Sequence, residues 1–339
     1  MSPEEQFTQL IRTADQWKSG LAVRLNFVNI GGIELHSFPS FKNWIDELRN
    51  KKIGGVAIDE CGQIYFVEHK SADLFLYEPG FKQTQRIFYH EFQESGRIIL
   101  DEKSLYIVQK KEVRVYSRDS FQLKQIVNTK AEKQNRTVIE ASDIAVDEQR
   151  NLYILDKKSG EILKRIVRDE FPRVFVKSLK EPLSIAVGKD NFLFVLDRQI
   201  SGFLRFKEGS KPEIIGHFPK EFSPTILAAG LNGIIVAATE SGLIHRFDAD
   251  GSDLGKIEIP NFQGTISHIA IHRDGSIYIS TDQGMAILGS QERVSKEEGI
   301  YYSRTLDSGI AQCQWHRLAF EADLPAHTLL KVHFYSSDE

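Results

Sequence analysis

The chain has 339 residues, 41% hydrophobic and 27% charged, enough to bury a large core. Its net charge of −4 leaves no electrostatic footprint for nucleic acid or an anionic membrane surface. No stretch reaches the roughly 20 apolar residues of a membrane span, no apolar signal-peptide core opens the chain, and Cys61 and Cys313 follow no metal or redox spacing, so a cytoplasmic protein with reduced thiols is expected.

The first element in chain order is a helix over residues 1–20. Ser2-Pro3-Glu4-Glu5 forms a capping box with proline at the first helical position. Phe7, Leu10, Ile11, Ala14 and Trp17 then fall on one apolar face. That face either packs on the rest of the protein or docks on a partner, with Phe7, Leu10 and Ile11 as its candidate interface residues. Two strand-like runs follow, from Leu21 to Phe27 and from Ile33 to His36, and they either add an outer strand to what comes next or make a small sheet of their own.

From Ile53 onward one pattern recurs six times. The triplets Val56-Ala57-Ile58, Ile98-Ile99-Leu100, Ile144-Ala145-Val146, Ile185-Ala186-Val187, Leu227-Ala228-Ala229 and Ile269-Ala270-Ile271 are separated by 42, 46, 41, 42 and 42 residues at their centres. Each is followed by a polar turn, such as His272-Arg273-Asp274-Gly275, and then by an apolar-aromatic run such as Leu152-Tyr153-Ile154-Leu155. The turns carry hairpin chemistry and the runs lack a helical period, so both sides read as strands. A period in the forties with several strands per unit predicts a β-propeller, whose blades bury their faces only against neighbours. The expectation is an all-β chain with a single six-bladed propeller over 21–290, closed by an N-terminal strand on the last blade because an open ring leaves sheet edges exposed. The repeat, over roughly 53–289, resembles the NHL class of propeller blade. Between repeats two and three the polar run 128–137 reads as a protruding loop.

The residues just before the inner triplets are Gly55, Arg97, Asp143, Ser184, Ile226 and His268, and these line the expected channel. Only Asp143 and His268 are plausible metal or acid–base groups, and a calcium site needs more converging oxygens than this set supplies. The two are expected to lie too far from other titratable channel residues to act jointly. The carboxylates at Glu68, Asp156 and Asp197 recur once per blade, as groups that cap a following turn would. The ten histidines show no HExxH or triad pattern. No catalytic residue, cofactor or metal ligand is therefore expected.

After Gly289 the repeat stops. Alternation at Leu318, Phe320 and Ala322, a turn at Leu324-Pro325-Ala326-His327, and alternation at Leu330, Val332 and Phe334 predict a hairpin that opens a partial β-sandwich over 291–339. The sequences Leu306-Asp307-Ser308-Gly309-Ile310, Cys313-Gln314-Trp315-His316-Arg317-Leu318 and Ala322-Asp323-Leu324-Pro325 together resemble a segment found after a propeller in phage-tail-like baseplate proteins of bacterial contractile injection systems. In that family a further domain follows, so the resemblance implies a longer protein or a partner that completes the fold. It also implies a non-enzymatic structural role in a symmetric multi-copy particle, released or membrane-anchored. The partners would be wedge, spike or sheath-proximal baseplate subunits, met through residues such as Trp315, Phe334 and Tyr335. The alternatives left open are a free-standing NHL-type binding module and a calcium-dependent propeller hydrolase.

Overall fold

Six four-stranded antiparallel sheets form the blades of a β-propeller. The computed structural model describes residues 41–88, 96–109, 111–131 and 136–289, with shorter stretches at 17, 21–23, 25–28, 32–35, 300–303, 322 and 329–333. Blade 1 spans 53–88, blade 2 98–127, blade 3 141–176, blade 4 182–215 and blade 5 226–257. Blade 6 combines 266–288 with the strand Phe41–Trp44.

All six triplets, five of them centred on Ala and the second on Ile99, lie on the innermost strands, Ile53–Ile58, Ile98–Leu100, Ala141–Val146, Pro182–Val187, Ile226–Ala229 and Ile266–Ile271, which neighbour one another around the axis. The small central side chains, with Ala57, Ala145, Ala186 and Ala228 all buried, let the narrow inner end of each blade approach the next. Large side chains fill the wider space outside it. Ala145, Leu155, Ile185 and Val195 form one cluster between blades 3 and 4, and Ala186, Phe194, Leu227 and Phe247 form another between blades 4 and 5. The core therefore lies between blades rather than within them.

The recurring carboxylates cap turns, as their once-per-blade spacing implies. Asp156 Oδ1 accepts from the Lys158 and Ser159 amides, and Asp197 accepts from the Lys180, Glu181 and Gln199 amides. In blade 5 the Thr239 hydroxyl takes the Leu243 amide in the same place.

The ring closes through an N-terminal strand, but it begins at Phe41 rather than at 21. Phe41–Trp44 pairs with Gly284–Leu288, the third strand of blade 6, and the Ile45 amide donates to the Met285 carbonyl at 3.0 Å. Residues 21–36 belong instead to a second unit, Met1–His36 with Lys296–Glu339. There Leu21–Val23 pairs with Ile300–Tyr302, and Leu25–Val28 pairs with Gly32–Leu35. The Trp17 and Tyr301 rings meet edge to face at 5.0 Å.

The expected sandwich hairpin changes accordingly. Ile300–Tyr302 takes its ladder from the N-terminal strand, while 329–333 form no strand and leave Leu329, Leu330 and Val332 exposed. Alternation at 330–334 fits a strand, but a strand needs a paired edge, and a lone hairpin is marginal in water. Residues 128–137 also differ from the expected loop: Thr129–Ala131 and Arg136–Val138 pair as a short hairpin. The remainder of the proposed N-terminal helix, with Phe7, Leu10 and Ile11, lies outside the described residues, as do Trp315, Phe334 and Tyr335. No helix among the described residues is long and apolar enough to cross a membrane.

Candidate functional site at the propeller channel

The inner strands of blades 1, 3, 4 and 6 each break register near the same level, between Ile53 and Val56, Ala141 and Asp143, Pro182 and Ser184, and Ile266 and His268. A bulge turns one side chain away from the ladder and frees a neighbouring amide. Here the freed amides are those of Val56, Ile144 and Ile185, and every one of them is used at the channel.

Asp143 collects two of them. Its Oδ1 accepts from the Ile144 amide at 2.8 Å and pairs with Arg97 Nε at 2.6 Å. Its Oδ2 accepts from the Ile185 amide at 2.8 Å and the Ser184 hydroxyl at 2.7 Å. The Arg97 guanidinium continues across the channel. Nη2 donates to the Leu227 carbonyl at 2.9 Å and lies 3.5 Å from Ser184 Oγ. Blade 2 thus touches blades 3, 4 and 5 through one side chain. Burial pushes the guanidinium pKa down and Asp143 opposes that shift; an arginine stays charged in either case.

His268 takes the third amide. Val56 N–H donates to Nδ1 at 3.0 Å, so the neutral ring carries its proton on Nε2. Burial first, and then the Arg97 charge, hold the imidazole well below the ordinary histidine range. Ser280, on the second strand of blade 6, donates to the Gly54 carbonyl at 2.7 Å and locks the same seam.

The glycines beside this level are steric necessities. A Cβ on Gly55 would stand 2.0 Å from the Gly96 carbonyl oxygen, and one on Gly96 would stand 2.1 Å from the Val108 carbonyl oxygen. Gly55 lets the strand carrying Arg97 approach blade 1, and Gly96 lets it approach the second strand of its own blade.

A cavity of ≈ 340 Å³ opens beside blade 3, lined by Lys111, Glu140, Ala141, Ser142, Lys157 and Lys158. Glu140 pairs with Lys111 at 2.8 Å and with Lys158 at 2.6 Å, and these two contacts hold its carboxyl pKa down at about 2. Lys157 makes neither pair. Burial lowers its ammonium pKa, which Asp143 offsets and the Arg97 charge lowers further.

Two corrections follow. Asp143 and His268 are not isolated from other titratable channel groups, because Arg97 ion-pairs with the first and shifts the second. Arg97 was not among the plausible metal or acid–base groups, yet it is the residue that joins the others. The available signal was the glycine on either side of it in space, Gly55 and Gly96, since glycine in a strand marks close backbone approach.

No known family model matches the chain, and no curated protein matches it. Solved propellers do match in fold. A gluconolactonase from Xanthomonas campestris is 13% identical, with 80% of this chain and 98% of that chain covered and a TM-score of 0.58. The calcium-binding protein regucalcin from Agrobacterium tumefaciens is 15% identical over 75% and 96% of the two chains, with a TM-score of 0.55. Virginiamycin B lyase from Staphylococcus aureus, solved as a catalytically inactive histidine-to-alanine variant with quinupristin, is 14% identical over 76% and 85%, with a TM-score of 0.51. At these identities the likeness is one of fold. It overturns the expectation of a non-catalytic baseplate block, because the rings that share this architecture include a lyase and a gluconolactonase. The chain contains a six-bladed β-propeller, similar in fold to these proteins.

Proposed function

We propose that the chain is a small-molecule enzyme of the propeller type that opens an ester ring, by elimination or by hydrolysis, at the channel. The observation that carries this reading is a neutral His268 beside a buried, fixed guanidinium. Nδ1 is occupied by the Val56 amide, so Nε2–H is the nitrogen left to donate. A hydrogen-bond donor and a cation in one dry site stabilise negative charge that develops on a carbonyl oxygen. Asp143 is a positioning residue, because it holds Arg97 Nε. Lys157, whose amine burial makes easier to deprotonate, is the base in this scheme, and the cavity it lines is the entrance.

Regucalcin's calcium raises the question of a metal here, and the donor set does not fit one. Among the described residues no three His, Cys, Asp or Glu side chains converge. Both Asp143 oxygens and His268 Nδ1 are already engaged within the protein. No step of the proposed reaction runs through a metal.

The test is turnover of a panel of small lactones, including gluconolactone, and of quinupristin by the full chain. Wild-type turnover that His268→Asn and Lys157→Met each reduce by about 10²-fold or more, within the usual range for acid–base groups, supports the reading. Absence of turnover across the panel, or activity indifferent to both substitutions, overturns it.

A further inference from the structure

We infer that Arg97 is the resident cation of this channel, seated among converging oxygens that would otherwise hold a divalent metal ion. The inference concerns what fills the channel and stands apart from any reaction carried out there.

The geometry comes first. In a ring of six, blade 5 faces blade 2, so an arm that leaves the blade 2 inner strand and reaches the Leu227 carbonyl at 2.9 Å crosses the axis. On its way the guanidinium meets the Asp143 carboxylate at 2.6 Å and lies 3.5 Å from the Ser184 hydroxyl. A carboxylate, a hydroxyl and a main-chain carbonyl are the ligand types of hard cations. Three blades therefore present hard-cation oxygens to one point, and a side chain of the protein occupies that point.

Charge matching decides which cation belongs there. Asp143 is the one carboxylate in the cluster, and it neutralises a guanidinium in full. A divalent ion competing with Arg97 would keep an uncompensated positive charge in a desolvated site, a cost that is relieved only when the side chain is removed and water enters. Geometry agrees, since calcium takes six to eight oxygens, waters included, and the cluster offers about half that number, so calcium needs the space of the Arg97 side chain for the waters that complete its shell. A planar guanidinium, with several donors fanned in one plane, serves ligands spread over three blades without a full coordination shell. Gly55 and Gly96 fit the same account, because a Cβ at either would displace the strand that carries Arg97.

The experiment is calcium titration of the full chain by calorimetry, with thermal melting in parallel. Wild type is expected to show no binding that depends on Asp143 up to about 1 mM calcium, the weak end of protein calcium sites. Arg97→Ala releases Asp143, Ser184 and the Leu227 carbonyl, so it should bind calcium at least tenfold more tightly than wild type. Adding Asp143→Asn should remove that gain. Arg97→Gln is expected to gain in the same way and serves if Arg97→Ala does not fold. Calcium binding by wild type that Asp143→Asn abolishes overturns the inference. So does a folded Arg97 variant that gains no calcium response. If neither variant folds, the wild-type titration decides alone. None of these readouts measures turnover, so failure of the proposed enzyme activity and failure of this inference are separately visible.

Discussion

Val56 and His268 lie 212 residues apart and meet through one hydrogen bond, from the Val56 amide to Nδ1 at 3.0 Å. The bond joins the first blade to the last at the channel, on the seam where the ring closes. It depends on the bulge that frees the Val56 amide and on an imidazole that stays unprotonated. Protonating Nδ1 would place a hydrogen against that amide inside a buried site.

This gives a pH dependence with a definite sign. Burial and the Arg97 charge hold the folded pKa of His268 well below the ordinary histidine value of about 6.5, so below that pH the unfolded chain binds the proton more readily. The contribution is complete above about pH 6.5 and is lost as pH falls toward the folded value, by up to about 1.4 kcal/mol per pH unit. His268→Asn keeps an acceptor for the Val56 amide and removes the titration. Urea unfolding between about pH 7 and pH 5 should therefore show a shallower loss of stability in the variant. Equal slopes in the two proteins would show that His268 is not the group being protonated.

Arg97 and Asp143 should behave as a coupled pair. The two side chains retain only 15% and 5% of their exposure, so removing either partner strands the other. Asp143→Ala is expected to cost about 3–5 kcal/mol. Replacing both, as Arg97→Met with Asp143→Leu, should cost clearly less than the sum of the single changes. Additive losses in a denaturation cycle would mean that the pair is not the organising contact of the channel.

Gly55→Ala tests the close approach of blades 1 and 2. The new methyl would stand 2.0 Å from the Gly96 carbonyl oxygen, a backbone atom that moves only with its strand. A loss of about 1–3 kcal/mol is expected from overpacking, accompanied by weaker protection of the Val108 amide, which donates to the Arg97 carbonyl at 2.9 Å. A neutral substitution would mean that the strand carrying Arg97 has freedom to shift.

Much of this architecture was legible in the sequence because blade repetition prints a period. Every Ala-centred triplet falls on an inner strand, and Glu68, Asp156 and Asp197 were readable as local groups because they recur. The channel cluster was not, since its members arise one per blade and differ in chemistry. Asp143, Ser184 and His268 occupy the same repeat position, and only the bulges and the reach of Arg97 make them one site. Long-range side-chain geometry of that kind leaves no periodic trace. Closure by an N-terminal strand was legible, but which strand was not: 21–27 and 33–36 fitted either an outer strand or a small sheet of their own, and strand propensity does not specify which edge is filled.

That closing strand provides the last test. Leu48 is fully buried just after it, in a cluster with Ile45, Met285, Ile53, Val56, Phe66 and Tyr77. The cluster fastens the N-terminal segment both to the third strand of blade 6 and to the face of blade 1. Leu48→Ala should cost about 2–5 kcal/mol, as large-to-small core changes do. The loss should also be localised: hydrogen exchange is expected to rise first in Gly284–Leu288 and Phe41–Trp44, whose pairing holds the ring shut, while blades 3 and 4 keep their protection. A ring that closes elsewhere would instead lose protection evenly in all six blades, and the assignment of the seam would then fail.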